Sequence, residues 1–251
     1  MPVRQICYIV IGMKNSAVLF ILMIFCLLCA SAYAQDFSGE RIVYDISPIG
    51  TSEYTDLGVV DFLGKKMRFC TFHTQVLGFD DLEKIYSDPK TFLPLRVERN
   101  ISMLTGKEYL VEEYFPKDGV LITRKYKGGK QVDQYDFKAD MPIQNAILLP
   151  FSLRREPNLD IGWSLTVYFP DKYKVTLVSI EEIEVPAGKF MTYHFTSEPH
   201  KFETWITKDD LRIPIKIKGA GGIGYTLSMK KHSMRKSPQG IIRLREGMNI
   251  L

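Results

Sequence analysis

Gly219-Ala220-Gly221-Gly222-Ile223-Gly224 fits the G-x-G-x-x-G expression and follows an apolar strand, so dinucleotide binding is the first chemistry to consider. Such a site needs a helix directly after the glycines, to aim its N-terminal N–H groups at the phosphates, and an acid about 20 residues further on. Tyr225-Thr226-Leu227-Ser228-Met229 alternates with the period of a strand instead, which makes the glycine run a hairpin loop.

The four histidines, His73, His194, His200 and His232, show neither the i to i+4 spacing nor the cysteine partners of a zinc site. His194 and His200 flank Glu198 and can meet Glu203 across a hairpin. Glu181, Glu182 and Glu184 crowd beside a turn, where paired carboxylates could serve glycoside chemistry or simply form a solvated hairpin. No Gly-x-Ser-x-Gly is present, and Cys70 has no motif-defined histidine partner and reads as a buried strand thiol. No catalytic, cofactor-binding or metal-binding residue is therefore assigned. The remaining resource is aromatic: Phe69, Phe72, Tyr114, Trp163, Tyr168, Tyr193 and Trp205 could line a ligand groove in a curved sheet, or equally fill an ordinary core.

The elements that would position these side chains are mostly strands. Period-two runs rich in β-branched and aromatic residues recur at 41–46, 109–115, 163–169, 173–180, 190–196, 202–206 and 213–217. Lys127-Gly128-Gly129-Lys130 joins 120–126 to 131–137 as a tight hairpin, and Pro186-Ala187-Gly188 turns 180–185 back into 190–196. Such meander connections imply antiparallel pairing. Residues 143–155 break the pattern, with Ile143, Ala146, Ile147, Leu149 and Leu153 at helical spacing and Pro150 expected to end or kink the helix. A weak internal echo relates 86–98 to 205–218: an aromatic, a polar turn, then apolar-Pro-apolar-base, with one residue more in the second loop. Each reads as a hairpin whose proline starts the returning strand, where its missing N–H costs little.

At the N-terminus, Met13-Lys14, the apolar run from Ala17 to Leu28 and Ala32-Tyr33-Ala34 before Gln35 read as a cleavable export signal, with cleavage between Ala34 and Gln35 and translation starting at Met13. The run is shorter than the ~20 residues that span a bilayer, which favours cleavage over anchoring. Lipidation of Cys29 is disfavoured because Leu28, not a small residue, precedes it. Removing residues 1–34 from the 251 leaves 217, and takes Cys7, Cys26 and Cys29 with it, so Cys70 is left without an intramolecular partner. The formal charge falls from +4 to +2, since Arg4 and Lys14 leave and no acid does, and nucleic-acid binding gains no support. Lys230, Lys231, Arg235, Lys236, Arg243 and Arg245 face only Glu246 near the C-terminus, giving a basic tail that could meet an anionic membrane surface or stay solvated.

Glu40-Arg41-Ile42-Val43-Tyr44, Thr91-Phe92-Leu93-Pro94-Leu95-Arg96, the Val185-to-Phe190 turn and the stretch from Trp205 to Pro214, in that order, resemble the exported bacterial family called domain of unknown function 3108, from about Glu40 to Lys231. The resemblance implies a β-rich envelope protein and no catalytic residues. Together these readings predict a mainly β fold: an antiparallel, strongly curved sheet or open barrel with one short helix packed against it. The predicted organisation is a signal peptide (1–34), one β-rich domain (35–232) and a basic tail (233–251). The expected function is that of a non-catalytic periplasmic, secreted or envelope-associated protein binding a lipid or other apolar component. The alternatives are an envelope glycan or peptide hydrolase using Glu181, Glu184, Glu198 or His200, and a structural adaptor docking through a sheet edge or the tail.

Overall fold

The computed structural model describes residues 36–219, 224–235 and 243–244. The export signal, its cleavage site and Cys29 lie outside the described residues, as do 220–223 and most of the basic tail. The chain divides into two units, Met1–Asp36 and Phe37–Leu251, and the second holds the whole fold described below.

Strands form the second unit almost throughout: β1 (Glu40–Ser47), β2 (Thr51–Phe62), β3 (Lys65–Val76), β4 (Phe79–Ser87), β5 (Pro94–Met103), β6 (Gly106–Phe115), β7 (Val120–Lys127), β8 (Lys130–Lys138), β9 (Ser164–Phe169), β10 (Asp171–Val185), β11 (Gly188–Glu198), β12 (Phe202–Thr207), β13 (Pro214–Gly219) and β14 (Tyr225–Met234). These fourteen make one antiparallel sheet in the order β8-β7-β6-β5-β4-β3-β2-β1-β14-β13-β12-β11-β10-β9. Short turns force each strand beside its predecessor, so the meander leaves the chain-consecutive β8 and β9 at opposite edges, while β1 pairs with β14 in the middle. The basic tail is not wholly separate from the domain. β14 runs on through Met234, the Arg235 N–H donates to the Gly39 carbonyl at 2.8 Å, and a two-residue β15 (Arg243–Leu244) pairs in parallel with Asp61 and Phe62 of β2.

The connection from β8 to β9 carries the helix α1 (Leu148–Leu153). Its Leu148 and Phe151 share one buried cluster with Ile42 and Tyr44 of β1, Phe72 of β3, Ile85 of β4, Tyr114 of β6, Leu121 of β7, Ile215 of β13 and Leu227 of β14. Strands so far apart in the sheet order can reach one short helix only if the sheet curls around it. Leu149 and Leu153 pack into a second cluster with Val175, Leu177, Phe195 and Ile206. Almost the whole helix surface is therefore buried, not one apolar side only.

Pro150 does not end α1; it sits in the first turn, where its missing N–H would have had no intrahelical acceptor. The start is set by Asn145, whose Oδ1 accepts from the N–H groups of Ile147 (3.0 Å) and Leu148 (3.1 Å). At the other end Arg154, nearly fully buried, donates from Nη1 and Nη2 to both oxygens of Glu40 on β1, at 3.0 and 2.7 Å. His232 on β14 approaches the same carboxylate at 3.1 Å, and the Arg154 guanidinium lies 3.3 Å from the centre of the Phe37 ring.

The internal echo in the sequence has a structural counterpart. β4–β5 and β12–β13 are both hairpins whose returning strand begins at a proline, Pro94 and Pro214. In each, an Asp carboxylate organises the turn: Asp88 Oδ1 accepts from the Lys90 and Thr91 N–H groups, and Asp209 Oδ1 from the Arg212 N–H and the Thr207 hydroxyl. Each turn also places a non-glycine residue in the left-handed region two positions before the proline, Phe92 (φ 62°) and Arg212 (φ 46°). The two tips converge on the end of α1. Arg155 stacks 4.2 Å above the Phe92 ring, and Arg212 Nη1 donates to the backbone carbonyls of Arg154 and Glu156.

Candidate ligand cavity

Two cavities lie between the concave face of the sheet and the segment leading into α1. The first, about 360 Å³, is lined by Ile46 of β1, Phe72 and Val76 of β3, Phe79 of β4, Ile147 and Leu227 of β14, with Asp81, Glu83 and Arg99 at a polar end. The second, about 390 Å³, is lined mainly by Ala146, Leu149, Pro150, Phe169, Tyr173, Phe202 and Ile217. Tyr225 lines both and stands between them. Strand alternation explains the lining, because Phe72, Thr74 and Val76 fall on one face of β3 and Phe69 on the other. Cavities of this size and lining suit an apolar chain better than a sugar or nucleotide, whose hydroxyls and phosphates would go unpaired against Phe, Val, Ile and Leu.

The polar end is built by cross-strand register. Glu83 on β4 lies opposite Arg99 on β5, and Asp81 two residues away opposite Ile101. Arg99 Nη2 donates to Asp81 Oδ2, and its Nε comes within 3.6 Å of Glu83. Glu112, on β6 next to β5, accepts a 2.5 Å hydrogen bond from the Tyr114 hydroxyl. One guanidinium thus serves three carboxyl groups. Asp81 is only 3% exposed, yet its Oδ1 has no hydrogen-bond partner among the described residues, and neither has Arg99 Nε. The surplus of acid shows in the titration. Burial pushes the Glu83 carboxyl up to about 7, against the pull of Arg99 and with help from Asp81 and Glu112. Glu112 is raised in the same way by burial, opposed by the Tyr114 hydrogen bond and Arg99. Burial also raises the Tyr225 phenol, and the charge of Glu83 adds to it.

The seven aromatics that could line a groove or fill a core divide between the two. Phe72 lines the first cavity, Tyr114 touches its acidic end, and Tyr168 packs against the same cluster. Phe69 lies on the opposite sheet face with Phe62, Met67 and Tyr86. Trp163 and Tyr193 belong to the second cluster, where Trp163 meets Phe195 edge-on. Trp205 packs in the main cluster with its Nε1 donating to Glu181 at 2.8 Å. Phe79, Tyr225, Phe169, Tyr173 and Phe202 are the aromatics that line the cavities beside Phe72.

Of the residues considered for hydrolysis, some meet. His194 lies 3.1 Å from Glu181 and 3.0 Å from Glu203, is stacked on Trp205, and Glu203 also takes Lys218 and the more distant His200. Glu203 and Trp205 alternate with Phe202 and Thr204, which line the second cavity, so this cluster is on the opposite sheet face. Glu184 stands apart at the hairpin, 73% exposed and 3.8 Å from Lys189, and Glu198 ends β11 opposite Lys174. Among the described residues no group of three or more His, Cys, Asp or Glu could hold a metal ion, and no helix is long and apolar enough to cross a membrane. Cys70 is buried with its Sγ 3.2 Å from the Tyr54 hydroxyl, and burial, reinforced by Asp56, pushes its thiol far up, which leaves it unreactive. The glycine run lies between the paired strands β13 and β14, as a hairpin requires; its residues 220–223 are outside the described residues.

A search of curated proteins finds no match. A similar solved structure is the crystal structure of a beta-barrel-like protein of domain of unknown function DUF1849 from Brucella abortus, with a TM-score of 0.49 and 12% identity, covering 80% of this chain and 100% of that one. The family described as "Protein of unknown function (DUF3108)" matches residues 72–230. That span includes Thr91–Arg96, the Val185–Phe190 turn and the Trp205–Pro214 hairpin, while Glu40–Tyr44 falls before it. With more than half its length matched, the chain belongs to the DUF3108 family.

Proposed function

We propose that this protein is a non-catalytic binding protein of the bacterial envelope, exported after removal of residues 1–34, that shelters an apolar chain between its curved sheet and α1. One observation carries the reading: a cavity of about 360 Å³ whose walls are Ile46, Phe72, Val76, Phe79, Ile147 and Leu227. A recess of this size, apolar over most of its wall with polar groups gathered at one end, has the form of a site for an amphiphilic chain. The hydrolase alternative has less support, because Glu184 and Glu198 stand away from His194 and Glu203 and the latter pair has its hydrogen-bonding capacity taken up by neighbours. Native mass spectrometry of protein purified from its own envelope tests the proposal. A co-purifying lipid or fatty chain is expected, and it should be lost in Thr74→Trp, which fills the cavity. Protein that arrives empty and fails to take up a solvatochromic acyl probe would overturn the reading.

A further inference from the structure

We propose that the first cavity selects amphiphiles whose head is a primary ammonium group, held by Asp81 and Glu83. This rests on the reading that the cavity takes an apolar chain, and adds the chemistry of the head. The wall next to Phe72, Val76 and Phe79 is acidic at one end only, so a chain lying along the apolar side brings its head against Asp81, Glu83 and Arg99. Three carboxyl groups and a single guanidinium leave that end negative whenever Glu83 is ionised, which repels a carboxylate or phosphate head and attracts a cation.

The buried, unpartnered Asp81 Oδ1 makes the choice narrower. A buried carboxylate oxygen with no donor is costly to the fold, a cost that a ligand N–H recovers and a methyl group does not. A primary ammonium, with three N–H donors, meets Asp81 Oδ1 and Glu83 together; a trimethylammonium meets the charge but not the lone pair. The unpartnered Arg99 Nε is a donor and already turned toward Glu83 at 3.6 Å, so ionised Glu83 brought closer by the ligand would satisfy it as well. Glu83 is faced by Asp81 from β4, Arg99 from β5, Glu112 and Tyr114 from β6, and Tyr225 from β14. Burial pushes the Glu83 carboxyl up to about 7, so ammonium binding should release a proton at or below that pH and strengthen as the pH rises through it.

The test is isothermal titration of the delipidated full-length protein with decylamine, decyltrimethylammonium, decanol and decanoate, at pH 6 and pH 8. Decylamine is expected to bind roughly tenfold or more tightly than any of the others at pH 8, a difference of about 1.4 kcal/mol or more, and to lose most of that advantage at pH 6. Asp81→Asn should erase the preference for decylamine over decanol, and Glu83→Gln should remove the pH dependence. Equal binding of all four, or decanoate the tightest, overturns the head-group assignment and leaves the apolar-chain reading standing. No binding of any of the four overturns both.

Discussion

The Tyr225 ring lies across the backbone of Gly219, its partner in the β13–β14 pairing: a Cβ placed on Gly219 would stand 2.5 Å from Tyr225 Cε1 and 2.8 Å from Cζ. Gly219 is the first glycine of the G-x-G-x-x-G match, and its reason for being glycine is this close approach, not a phosphate. Because Tyr225 also separates the two cavities, the glycine sets where that partition stands. Gly219→Ala should therefore cost about 1–3 kcal/mol in urea unfolding, as overpacking does, and change the affinity for an apolar probe at the same time. Gly224→Ala, whose new Cβ would among the described residues meet only the Gly219 carbonyl oxygen, at 3.2 Å, should be milder in both. A neutral Gly219→Ala would show that the ring moves aside freely.

Glu83→Gln isolates the acidic end. The folded carboxyl titrates near 7 against an ordinary value of 4.5, so the folded state holds its proton more tightly than the unfolded chain does. Stability from this group is therefore highest below about pH 4.5 and declines as the pH rises to about 7. Glu83→Gln should leave the stability at pH 4 nearly unchanged and add up to a few kcal/mol at pH 8. Chemical denaturation at the two values checks this, and a pH-independent effect would reject it.

Arg154 ties α1 to the sheet through Glu40. Removing one member of a buried ion pair strands the other charge, and Arg154→Met should cost about 3–5 kcal/mol. Lysine keeps the charge but cannot make the two-pronged contact with both Glu40 oxygens, nor lie flat over Phe37. Arg154→Lys should recover less than half of the loss. Full recovery in a thermal melt would mean that charge alone, without the planar fork, holds the helix.

Local rules account for what could be read in the sequence. The Gly128-Gly129 hairpin, the Pro186-to-Gly188 turn and the helix after Asn145 all depend on residues within a few positions of one another; the two turns form where expected, and the helix forms inside the expected 143–155 but only over Leu148–Leu153. β2, β3 and β4 were less visible, because strands such as Asp80-Asp81-Leu82-Glu83-Lys84 carry charge on both faces and imitate a solvated segment. The acidic cluster was hidden by the same composition. Counting outward from Ser87 opposite Pro94 would place Glu83 against Glu98; the register shift between Tyr86 and Ser87 moves it onto Arg99, and no local count supplies that shift. Nor does one supply the curl of the sheet, which decides that those charges face an apolar cavity while Phe69 and Trp163 do not.

The paired hairpins give a last prediction. Asp88→Ala and Asp209→Ala each remove hydrogen bonds to turn N–H groups, bonds made by a carboxylate and worth about 1.5–3 kcal/mol. Phe92 and Arg212 need those bonds, since a left-handed backbone costs a non-glycine residue on the order of 1–2 kcal/mol. Loosening one tip frees one side of the Arg154–Glu156 segment, and with that support gone the other tip has less left to lose. The double variant should thus be destabilised by less than the sum of the two single changes, with a coupling of at least ~0.5 kcal/mol in a double-mutant cycle. Strict additivity would show that the two hairpins hold α1 independently, and that their likeness is one of turn chemistry alone.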